Sequence, residues 1–151
     1  MCRGKQVLGH DEAGNWPRHE SSDSSERRTA LFEGQDGAEA MAVSRVLDRL
    51  DVDTMWCRGP SEDHGPRCSL VEKGHCDLVE RADFVINNLG TADACRAAVA
   101  EAVDSAVHGE KPVAVLAGWQ QSESLRGRLP GSTVVEGPLT RQVVQDIAQA
   151  R

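Results

Sequence analysis

From Thr29 to Ala150 the chain alternates short apolar runs with longer segments whose apolar residues recur at helical spacing, and that alternation is its strongest constraint. Thr29-Ala30-Leu31-Phe32-Glu33, ended by Gly34, reads as a first strand. A helix follows over 36–50, with Met41, Ala42, Val46, Leu47 and Leu50 as its apolar side and Glu39, Arg45, Asp48 and Arg49 opposite. Val52 to Trp56 and Ala82 to Asn88 supply the second and third strands, with one helical turn at Asp77 to Arg81. An Ala-rich helix spans 91–108, with Cys95, Val99, Ala102, Val103 and Ala106 on one face, Glu101, Asp104 and Ser105 on the other, and Gly109 placed as its C-terminal cap. Val113 to Ala117, a short helix within 120–128, a strand at Ser132 to Val135, and a helix from Thr140 to Ala150 with Val143, Val144, Ile147 and Ala148 buried complete the series.

Strands separated by helices pair in parallel, and apolar runs without polar alternation require cover on both faces. The expectation is an α/β domain over residues 29–151: a five-stranded parallel sheet with helices on both faces, of flavodoxin-like type. Ligands of such sheets sit at the carboxyl ends of the strands, where Glu33, Cys57, Asn87, Asn88, Gly118 and Glu136 fall. Residues 1–28 are polar, with the run Glu20-Ser21-Ser22-Asp23-Ser24-Ser25-Glu26, and are expected to form a disordered tail.

Charge narrows the function classes. The formal charge is -7, and residues 1–28 balance to zero, so the folded part is acidic. Binding to a phosphate backbone runs on clustered Lys and Arg, and stacking on bases needs aromatic rings; with no Tyr, two Phe and three Trp, a nucleic-acid partner is not expected. No run approaches the roughly 18 to 20 apolar residues of a membrane helix, so a cytoplasmic location without membrane contact is the expectation.

The chemical signal is concentrated between Cys57 and Cys76, where Cys57, His64, Cys68, His75 and Cys76 share a Gly- and Pro-punctuated segment. Three readings are open. Cys57, Cys68 and Cys76 with His64, or less easily His75, make a Cys3His set for zinc, and the same three thiolates suit an iron–sulfur cluster with an outside fourth ligand; the tight C-x2-C spacing of strong zinc motifs is absent. Alternatively Arg58, Arg67 and Lys73 lower the thiol pKa values and make a redox-sensing pair. In the third reading the cysteines are small packing residues, with Leu70, Val71, Leu78 and Val79.

Over 29–151 the chain resembles the receiver domain of response regulators, and Val134-Val135-Glu136-Gly137-Pro138-Leu139 before an amphipathic helix is similar to the receiver's last strand, its Lys-Pro and its final helix. The resemblance implies phosphotransfer residues that this chain lacks. Asn87-Asn88 stand where the acceptor Asp belongs, Glu33-Gly34-Gln35-Asp36 replaces the acidic pair, Ala117-Gly118 stands where Ser or Thr is used, and Gly137 holds the Lys position. It therefore implies a non-phosphorylatable regulatory module acting on a protein partner or by self-association through the 91–108 helix or the fourth and fifth strands, with the cysteine segment in place of the second helix. An enzyme at the same edge is the alternative, either a thiol oxidoreductase or, since Phe32-Glu33-Gly34-Gln35-Asp36-Gly37 also resembles a toprim opening, a magnesium-dependent hydrolase.

Overall fold

The computed structural model describes residues 5–6, 26–59, 68–90 and 94–150. Its strands are β1 (Lys5–Gln6), β2 (Arg28–Glu33), β3 (Val52–Cys57), β4 (Phe84–Asn87), β5 (Val113–Ala117) and β6 (Thr133–Glu136). The helices are α1 (Gly37–Asp48), α2 (Ser69–Lys73), α3 (Asp77–Arg81), α4 (Ala94–Val107), α5 (Ser122–Arg128) and α6 (Arg141–Gln149). They build one sheet in the order β1-β3-β2-β4-β5-β6, in which β2 to β6 are parallel and β1 runs antiparallel along β3.

The five parallel strands are those expected from the sequence, and two features at the margins differ. Lys5 and Gln6, within the segment expected to be unstructured, pair with Cys57 and Trp56, and Arg28 opens β2 rather than closing the tail. Arg28 is held there by the last turn of α6, donating to the Ala148 carbonyl at 2.8 Å, and its guanidinium lies 4.8 Å from the Phe84 ring. Arg27 pairs with Asp48 at 3.0 Å and Asp53 at 3.4 Å, and residues 1–4 and 7–25 of that tail lie outside the described residues.

Side chains alternate across each strand, so the sheet divides the core in two. On one face Ala30, Phe32, Trp56, Phe84, Ile86 and Leu116 pack under α1 and α6. On the other, Leu31, Met55, Val85, Val113 and Val115 meet Leu70, Leu78, Val79, Val99 and Val103 of α2, α3 and α4. The buried side of α1 is Ala40, Val43 and Leu47, while Met41, expected there, is 38 % exposed. Steps of four and three back from Leu47 reach Val43 and Ala40, which leaves Met41 off the stripe.

Asp104 is a second correction. It was expected on the solvent side of its helix, but is 8 % exposed and accepts hydrogen bonds from the Gly131 amide at 3.0 Å and the Ser132 hydroxyl at 2.6 Å. The carboxylate thereby pins the turn between α5 and β6 onto α4. His108 and Gly109, at φ 46 and 74, end that helix in the left-handed conformation where a glycine cap was expected. Among the described residues no helix is long and apolar enough to cross a membrane.

Among its described residues the connection between β3 and β4, expected as a loop in place of a helix, is partly helical. It carries α2 and α3, with Cys68 and Cys76 at the residues preceding each; Gly74, at φ 76, closes α2. Leu70, Leu78 and Val79 supply the apolar contacts that hold both short helices against the sheet.

Candidate functional site at the carboxyl edge of the sheet

β3, β2 and β4 end in register, so that Cys57 lies beside Glu33 and Glu33 beside Asn87. Neighbours in register on parallel strands share a face, and this row lies on the side covered by α2, α3 and α4. Glu33 is 3 % exposed and Asn87 1 %. The Asn87 amide donates to Glu33 Oε1 at 3.3 Å, and its own oxygen accepts from the Leu89 amide at 3.3 Å. Burial pushes the Glu33 carboxyl up to about 7, with the Asn87 hydrogen bond opposing it.

The residues around this row are committed to structure. Asp36 caps α1 by accepting from the Ala38 amide at 2.8 Å. Asn88 donates its side-chain amide to Glu39 Oε1 at 2.7 Å and its backbone amide to the Glu33 carbonyl at 2.7 Å. Gly34 follows Glu33 for steric reasons, because a Cβ there would lie 2.7 Å from the Phe32 ring, and its carbonyl accepts from the Trp56 indole at 2.7 Å. Across the edge, Arg96 of α4 donates to Gln35 Oε1 at 2.7 Å.

At the far end, Glu136 closes β6 and accepts from the buried Ser122 hydroxyl at 2.6 Å and from Arg126 Nη2 at 3.2 Å. The Ser122 hydroxyl first, and Arg126 second, hold its carboxyl below the usual carboxylate range. Trp119, between β5 and α5, is 82 % exposed. Glu33, Cys57, Asn87, Asn88, Gly118 and Glu136 thus all stand at the edge anticipated from the sequence. The Glu33–Asn87 bond follows once strand register is known, whereas nothing in the sequence marks Ser122 as the partner of Glu136.

The cysteine segment is only partly brought together. Cys57, Cys68 and Cys76 all pack against the core cluster of α2, α3 and α4, as does Cys95. Burial, and then the neighbouring Glu33, push the Cys57 thiol up to about 12; burial likewise raises Cys68, against the Val71 and Leu70 amides that lower it. Both shifts are upward, and the guanidinium of Arg58, one of the cations expected to lower them, sits 5.9 Å from the Trp56 ring. His64 and Arg67 lie outside the described residues. His75 and Cys76 line a groove of about 390 Å³ together with Val79, Val107, His108 and Lys111. Among the described residues no three or more His, Cys, Asp or Glu side chains gather in a way that would hold a metal ion.

No family model matches the chain, and no curated protein matches it. Solved structures do. A response regulator receiver protein from Sinorhizobium medicae aligns with a TM-score of 0.53 at 14 % identity, over 82 % of this chain and 94 % of that one. A CheY-like response regulator from Mesorhizobium loti gives 0.53 at 16 % identity, over 82 % and 97 %. A pilus assembly protein from Burkholderia thailandensis gives 0.55 at 13 % identity, over 81 % and 95 %.

Proposed function

We propose that this receiver-like domain is a regulatory and interaction module that works without an aspartyl phosphate. The observation that carries the reading is the pair Asn87-Asn88. Where the resemblance places the phosphoryl acceptor, neutral amides are bound to Glu33 and Glu39, and an amide is not a nucleophile for phosphoryl transfer. The acids around it do not fit a magnesium site either, since Glu33 is enclosed and bonded to Asn87 and Asp36 is spent on the α1 cap. Incubation with a small phosphodonor and magnesium is expected to leave the intact mass unchanged; a phosphorylated species lost in Asn88→Ala would refute the reading.

A protein surface, or a second copy of this chain, is the partner that suits an acidic domain with an exposed Trp119 between β5 and α5. Metal binding or redox sensing at Cys57, Cys68 and Cys76, with His64 or His75, is a second reading, supported by the packing of the three cysteines against one core cluster. It expects about one zinc, or an iron–sulfur cluster, per chain in protein purified without oxygen. Metal-free protein with no reversible disulfide would remove it.

A further inference from the structure

We propose that the outer edge of β3 is a strand-addition site for an extended, basic peptide segment of a partner protein, which the chain's own Lys5–Gln6 occupies in the free domain. Among the described residues, only Trp56 and Cys57 of β3 have a partner on that side, in Gln6 and Lys5. Val52 to Met55 continue the same edge, and a sheet edge accepts a further strand through its backbone amides and carbonyls. The resident strand is easily displaced. It pairs over two residues, and the 21 residues from Val7 to Arg27 join it to β2. A chain of that length extends to about 70 Å, against roughly 10 Å between strands two places apart in a sheet. β1 therefore leaves the edge without disturbing β2, and behaves as a tethered ligand.

Charge selects the kind of segment. Arg27 pairs with Asp48 and with Asp53 of β3, and Asp51 adds a third carboxylate near the same guanidinium. One cation against three acids leaves this end of the edge negative, and the resident segment matches it: residues 1–10 contain Arg3 and Lys5 and no acid. Thr54 adds a second demand. It is 8 % exposed, and its hydroxyl has no hydrogen-bond partner among the described residues. In the antiparallel register set by Gln6 and Trp56, the residue opposite Thr54 lies two further along an added strand, where a Ser or Thr would meet the Thr54 hydroxyl across the ladder. At that spacing the chain's own sequence has Leu8, whose side chain carries no polar atom, so a segment with a hydroxyl there binds better than the resident one. The surface lies at the far end of the strand order from Trp119, which follows β5, and does not depend on the chemistry at the carboxyl edge.

The test uses the full-length, 15N-labelled chain and a synthetic peptide of residues 3–10, read by the backbone amide signals of Met55, Trp56 and Cys57. The peptide is expected to shift them saturably. It should bind about tenfold more tightly to the full-length double variant Lys5→Pro, Gln6→Pro, in which the missing amides remove the tethered competitor. A second peptide carrying Leu8→Thr should bind about fivefold more tightly than the first, and both should weaken as salt rises. Comparing the two peptides on the native chain keeps the proposal open to refutation even where the double variant does not fold. No saturable shift, shifts centred on Trp119, equal affinity for native chain and double variant, or equal affinity of the two peptides would each overturn it. A concentration-dependent dimer of the native chain that is lost in the double variant would give the edge to a second copy, and would overturn the partner named here.

Discussion

At the scale of single residues, Glu33 makes the sharpest demand on pH. Its folded value, about 7, lies above the ordinary 4.5, so the folded protein binds its proton more tightly than the unfolded chain does. The contribution to stability is complete below about 4.5, falls as pH rises toward about 7, and is gone above it. Glu33→Gln keeps an acceptor for Asn87 and removes the ionisation. Urea denaturation at acid and mildly alkaline pH should show the variant losing this slope and becoming more stable than the native protein above neutrality, by about 3 kcal/mol at most. Sequence places Glu33 at a strand end; its enclosure depends on helices that arrive from elsewhere in the chain.

At the scale of elements, Asp104 decides how α4 holds the α5–β6 turn. Asp104→Ala leaves the Gly131 amide and the Ser132 hydroxyl without their acceptor, and should cost about 2 to 3 kcal/mol in thermal or urea unfolding. Asp104→Asn retains one acceptor oxygen and should cost less. The elements themselves were largely legible, because periodicity reports burial on one side and the five parallel strands have no polar alternation to confuse it. What was not legible is instructive. Asp104 looked solvent-facing because helical spacing cannot distinguish a carboxylate in water from one answering a distant turn. Met41 looked buried because its hydrophobicity outweighed its angle, and α2 was hidden because Ser69 to Lys73 is too short to show a period. β1 was equally silent, since an edge pairing of Lys5 and Gln6 needs no apolar pattern.

At the scale of the molecule, the sheet order explains why unrelated side chains converge: β3, β2 and β4 are neighbours in space but end at Cys57, Glu33 and Asn87, far apart in sequence. Chain order and the strand-end rule suffice to gather that list, while the chemistry at the edge depends on which acids are already spoken for, which is a property of packing. The pairing of Asn88 with Glu39 at 2.7 Å shows how far this goes. Asn88→Asp would set two carboxylates against each other. It should lower stability by about 1 to 2 kcal/mol at neutral pH in urea denaturation and still take up no phosphate, since the acidic partners are not restored. Placing an aspartate at position 88 is therefore not neutral: unless Glu39 changes first, the substitution yields a weaker protein.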